Sequence, residues 1–187
     1  RSAGRYDNTE RTIQDALKER IDRLYKEHLK VTEGRWLGLV HGHHWGEIGV
    51  EGTTDTYLAK LLKTRYLGTS AYVILDFVSN DTSERHGQTL LWVHHGNGGG
   101  RAGAMLNKLE TFSTSLDVDA IFVGHTTKVS GAKLSRMYPY TVGEVTEVRH
   151  KHICLINSGG WSKAYSQGSK RDGRPSGDYA EMAMMAP

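Results

Sequence analysis

The chain has 187 residues, with 24 Lys and Arg against 21 Asp and Glu and a formal charge of +3. That length suits one domain with a substantial core rather than two, and the mixed charges describe an ordinary solvated surface that neither demands nor excludes nucleic acid. No run is long and apolar enough to span a membrane, no secretory signal pattern opens the chain, and the single Cys154 excludes an intrachain disulfide and favours a reducing, cytoplasmic setting.

Residues 1–8 read as a loose polar start. From Thr9, a potential helix cap, apolar residues recur at Ile13, Leu17, Ile21, Leu24 and Leu29, which is helical spacing with one buried stripe. "RWLGLV" then reads as a strand leading into "HGHHWG" at 41–46. "GTTDTYLAKLLKTRYLG" reads as a capped helix, started by Thr54 or Asp55 and closed by Gly68. "AYVILDFVS" is expected to be a buried strand, "NDTSERHG" a turn, and "QTLLWVH" a strand running into "WVHHGNGGG".

A helix is expected from about Arg101, with Met105, Leu106, Leu109 and Phe112 on its apolar face. "DAIFVG" is a short apolar strand closed by His125. Residues 132–160 alternate β formers with polar residues, as strands solvated on one side do, and Cys154 within "HICLIN" is expected to be buried. The tail from Trp161 reads as irregular chain, with one more strand near Asp178–Met182. Strands alternate with helices and then follow one another, which predicts one α/β domain over 1–187.

Six of the ten histidines lie in three clusters, each after an apolar strand. Ligand sites of open α/β sheets form beyond the carboxyl ends of strands. One of His43 and His44, one of His94 and His95, and His125 are therefore candidates for one metal centre, with glycines permitting the tight turns. A lone histidine at a strand end is usually structural; three such clusters are harder to explain that way. The spacing matches neither a zinc finger nor a His-Glu-x-x-His helix. "GNGGGRAG" lacks the Lys-Ser/Thr pair of a nucleotide loop, although a helix start at Arg101 favours an anion.

The order of motifs resembles the calcineurin-like metallophosphoesterases of bacterial and phage type. "GHHW" at 42–45 falls where that family has Gly-Asn-His-Asp/Glu, His95-Gly96 where it has His-Gly, and "GHTT" at 124–127 where it has Gly-His-x-His. "NSGGWSKAYSQG" and "DYAEMAMMAP" resemble the family's closing segments, so the likeness runs from about Asn8 onward. It implies a four-layer α/β/β/α sandwich, incomplete at its start because the family's Asp-x-His and Gly-Asp motifs would precede residue 1. It also implies metal-dependent hydrolysis of phosphoesters, with a phosphodiester or nucleic acid as leading substrate and a phosphomonoester or cyclic nucleotide equally compatible with the motifs, and a cytoplasmic location (the host cytoplasm for a phage-encoded protein).

Carried over by position, His43, His95 and His125 would bind a divalent ion (manganese, zinc, nickel or magnesium). His44 would be the catalytic acid. Thr127 stands at a lost ligand position, His94, Asn97 and Arg101 near the substrate, and His41 behind the ligands. Two departures bear on activity: Trp45 replaces the carboxylate that would orient His44, and Thr127 replaces a histidine. With the missing carboxylates, they support an alternative: a degenerate member of the fold that binds without catalysing.

Overall fold

The computed structural model describes residues 3–97, 102–126 and 129–159. The chain divides into two compact units, with the boundary between Ala71 and Tyr72. None of the described helices is long and apolar enough to cross a membrane.

The first unit is built on helix α1 (Ala3–Leu24), which passes into a π-helical turn at Tyr25–Leu29 and a 3-10 turn at Lys30–Thr32. The expected cap at Thr9 is corrected: the helix already runs from Ala3, because nothing in the polar opening residues breaks it. "RWLGLV" does not form a ladder strand. It makes one parallel bridge, Leu39↔Tyr66, where Leu39 N–H donates to Arg65 C=O and Leu67 N–H returns to Leu39 C=O. Gly38 sits so close to Leu67 that a Cβ there would meet its Cδ1 at 2.5 Å, so an apolar run is used for close approach of two loops.

Helix α2 (Thr54–Leu61) is capped by Thr53, one residue before the expected start. The Thr53 and Thr56 side chains exchange hydrogen bonds with each other's backbone N–H, a reciprocal capping box. The helix stops seven residues short of Gly68. Thr64 N–H donates to Ala59 C=O and Lys63 N–H to Lys60 C=O, a Schellman closure with Lys63 in the left-handed region at φ 53°. The Lys63 ammonium lies 2.6 Å from Glu33, and that bond holds the Glu33 carboxyl below its usual range. Among the described residues, Leu62, Ala59 and Ile48 are the buried apolar residues of this unit.

From Tyr72 onward the second unit carries a five-stranded sheet of order β1-β2-β3-β5-β4, with β1 Ser70–Val78 (its first two residues precede the boundary), β2 Arg85–His94, β3 Ala120–Val123, β4 Val129–Val142 and β5 Val145–Ser158. Ser79 N–H donates to Glu84 C=O to close the turn between β1 and β2. β2, β3 and β5 run parallel, and β4 returns antiparallel along β5. Helix α3 (Ala102–Ser115) connects β2 to β3, as a parallel connection requires.

Met105 and Leu109 of α3 pack on Ile121, Val123, Ile153 and Leu155, with Val118 beneath. Each such side chain stabilises the fold by roughly 1.5–3 kcal/mol. The topology is mixed α/β.

Two burial expectations are corrected. β1 is an edge strand and exposes Tyr72, Ile74, Phe77 and Val78. Cys154 is exposed, because strand alternation turns its neighbours Ile153 and Leu155 into the core and Cys154 to the opposite face. Residues Trp161 to Pro187, with the strand expected near Asp178–Met182, lie outside the described residues.

Candidate metal centre

In the second unit, the parallel strands β2 and β3 are in register from Leu91↔Ala120 to His94↔Val123. Both chains therefore leave the sheet at the same edge, the carboxyl end where ligands bind in open α/β sheets. His95 follows β2 directly, and Gly124 and His125 follow β3.

The two loops lie against each other. Gly124 N–H donates to His94 C=O at 3.2 Å. Gly96 has φ 94°, and a Cβ there would stand 2.8 Å from Gly124 O and 3.1 Å from His125 Cβ. No side chain fits that space, and the backbone conformation itself favours glycine. A Cβ on Gly124 would stand 3.3 Å from His95 O. The pairs His-Gly and Gly-His thus have one physical cause: each glycine lets the other loop's histidine close in.

His125 is the centre of a tight turn closed by Thr126 N–H donating to Gly124 C=O at 2.9 Å, and its φ is 71°. Left-handed backbone at a non-glycine residue costs about 1–2 kcal/mol and often accompanies a functional site. The turn is steadied from the next strand by Asn157, the fully buried penultimate residue of β5, which donates from Nδ2 to Thr126 Oγ1. Sequence reasoning missed Asn157; its signal was its position at the end of a third apolar strand run.

The result is that His95 Nε2 and His125 Nδ1 stand 3.1 Å apart, with the rings edge to face at 5.0 Å. Two bare nitrogen lone pairs repel at that separation, so either a proton or a cation must lie between them. With bonds of roughly 2.0–2.1 Å, two imidazoles on one ion hold their nitrogens about 3 Å apart, so the pair fits a shared metal. This part of the edge can coordinate a divalent ion.

His94 faces elsewhere. Its ring stacks on Trp92 at 5.1 Å and lies 6.0 Å from Phe112, and its Nδ1 accepts from Gly96 N–H at 2.7 Å. Burial lowers its pKa, so the ring is the neutral Nε2–H tautomer. His94 holds the Gly96 turn in place. Asn97 is exposed, and its carbonyl accepts from Lys108 Nζ at 3.0 Å. Arg101 and Thr127 lie outside the described residues.

The histidines of "HGHHWG" belong to the first unit. His43 and His44 are exposed, with ring centroids 3.7 Å apart. His41 is pinned: its Nδ1 lies 2.6 Å from Tyr66 Oη and 3.4 Å from Asp55 Oδ2, and Asp55 Oδ2 also accepts from Gly42 N–H at 2.9 Å. Asp55, read from sequence as a helix cap, is instead the anchor of this loop. The Trp45 ring lies 5.6 Å from His41.

Comparison with protein-family models, with curated proteins and with solved structures finds no match for this chain.

Proposed function

We propose that this protein is a metal-dependent phosphoesterase whose divalent ion is held by His43, His95 and His125, within a single calcineurin-like domain of four-layer type. The observation that carries the reading is the 3.1 Å approach of His95 and His125 at the carboxyl edge of two parallel strands. A third imidazole from His43 is assigned by the order of motifs along the chain. Neutral imidazoles suit zinc or nickel, whereas manganese and magnesium favour oxygen donors.

A bound ion would act as a Lewis acid on the phosphoryl oxygens and lower the pKa of a water. The chain's own residues supply the rest. His95 and His125 set the position of the ion through two glycine-dependent turns. His44, exposed beside His43, donates a proton to the leaving oxygen as the bond to phosphorus breaks, a contribution of about 10² to 10⁴ fold where it operates. The substrate is a phosphoester, with phosphodiesters and nucleic acid as the candidates for assay. A reaction of this type needs no membrane partner.

A second reading has its own support. Trp45 lies against His41, at the position where the resemblance has a carboxylate to orient the catalytic histidine. A degenerate module that binds a metal and a phosphate ligand, without turnover, accounts for that substitution.

One experiment separates the two. Purified protein is loaded in turn with manganese, zinc, nickel and magnesium and assayed on nitrophenyl phosphomonoesters and phosphodiesters and on single-stranded DNA. Turnover that disappears in His125→Ala together with bound metal supports the enzyme. Metal binding with no turnover on any substrate supports the binding module.

A further inference from the structure

The long hairpin carries a second set of donor side chains. β4 and β5 pair throughout, from Val129↔Ser158 to Val142↔Val145, whereas β5 pairs with β3 only over Cys154–Asn157. The remainder is a two-stranded ribbon. Side chains alternate along it, and residues directly opposite one another share a face. His150, His152 and Cys154 therefore lie on one face, with their partners Met137, Ser135 and Lys133. Ile153 and Leu155, on the other face, are buried, and His150, His152 and Cys154 are all exposed.

The two imidazoles are already together. Their ring centroids are 5.0 Å apart and edge to face, the same separation as His95 and His125. Ser135 Oγ lies 2.9 Å from His152 Nδ1. When Nδ1–H donates to that hydroxyl, the Nε2 lone pair remains for a ligand, which is how neighbouring groups orient metal-binding histidines. Met137, directly across from His150, is 80% exposed and offers a thioether beside the pair.

We propose that His150 and His152 form a second metal site, a chelating pair on the ribbon face for a transition-metal ion of the zinc class, with Cys154 as third donor. Two residues apart on one strand face, the imidazoles need no further folding to converge. Cys154 stands two residues further along the same face, and a thiolate joining two imidazoles on one ion would select a borderline or soft ion over magnesium or calcium.

The test uses the whole chain and cobalt(II), whose bond to a thiolate absorbs in the near ultraviolet. Bound cobalt is counted by equilibrium dialysis. The wild type should bind cobalt in two classes of site and show the thiolate absorption. The double variant His150→Ala/His152→Ala should lose one equivalent and that absorption. His125→Ala should keep both, because the proposed catalytic ion is a separate one. Cys154→Ser should keep the second equivalent more weakly and lose the absorption. His150, His152 and Cys154 are exposed, so the circular dichroism of their variants should be unchanged. A double variant that retains the full cobalt complement overturns the second site, as does a wild type whose cobalt is lost entirely with His125→Ala. Thiolate absorption that is missing from the wild type, or that persists in Cys154→Ser, overturns the third donor.

Discussion

Gly96 and Gly124 meet backbone to backbone: a Cβ on Gly96 would stand 2.8 Å from the Gly124 carbonyl oxygen, closer than real Cβ atoms come. That contact, between a loop after β2 and a loop after β3, is what puts His95 within 3.1 Å of His125.

Gly96→Ala must therefore separate the two loops or strain them, with φ at 94° adding its own penalty. We expect a loss of about 1–3 kcal/mol in stability. Metal affinity should fall as well, because the two imidazoles no longer converge. Urea unfolding and a zinc titration on the same preparation check both; an unchanged affinity would separate the glycine contact from the site.

His125 tests whether stability has been exchanged for function. Its left-handed φ of 71° suits glycine, so His125→Gly should leave the metal-free protein as stable as the wild type or more so, by up to about 1 kcal/mol. His125→Ala keeps the strain and should gain nothing. Both should lose the metal. Denaturation in the presence of a chelator reads the first effect, and metal analysis after dialysis the second.

If His44 is the acid, its loss should fall unevenly on substrates. His44→Ala should slow a phosphoester with an alkoxide leaving group far more than one with a nitrophenolate, which leaves without protonation. Metal content should be unchanged. Equal losses on the two substrates, or a parallel loss of metal, would remove His44 from that role.

Tyr57 gives a stability marker in the first unit. Its hydroxyl donates to Asp22 Oδ1 at 2.8 Å, and that bond, with desolvation and the charge of Asp22 and Glu51, pushes the phenol up from 10.0 to about 12. The folded state holds this proton more tightly than the unfolded state. The contribution is therefore complete below pH 10 and is lost as the pH rises from there through about 12. Tyr25 and Tyr66 are also raised, Tyr57 up to about 12, so ultraviolet titration of the folded protein should show a late tyrosine phase, and Tyr57→Phe should remove the last part of it. The substitution should cost about 1 kcal/mol at neutral pH, the site being partly open to solvent.

The alternation of strand and helix from Ser70 to Val123, the apolar face of α3 at Met105 and Leu109, and the strand-rich half after Gly124 were legible in the sequence, because short-range periodicity reports which face of an element is covered. So was the importance of His-Gly and Gly-His, although the reason was not. That Gly96 and Gly124 touch is a contact between loops 28 positions apart, and no local pattern carries it. "RWLGLV" shows the limit: its composition is that of a strand, yet it bridges only once, because a strand needs a partner running beside it and Arg65–Gly68 offers a few atoms of backbone. Cys154 shows the other limit. An apolar run names a strand but not which of its two faces the core lies on, and only the packing of Ile153 and Leu155 under α3 turned Cys154, His152 and His150 outward together.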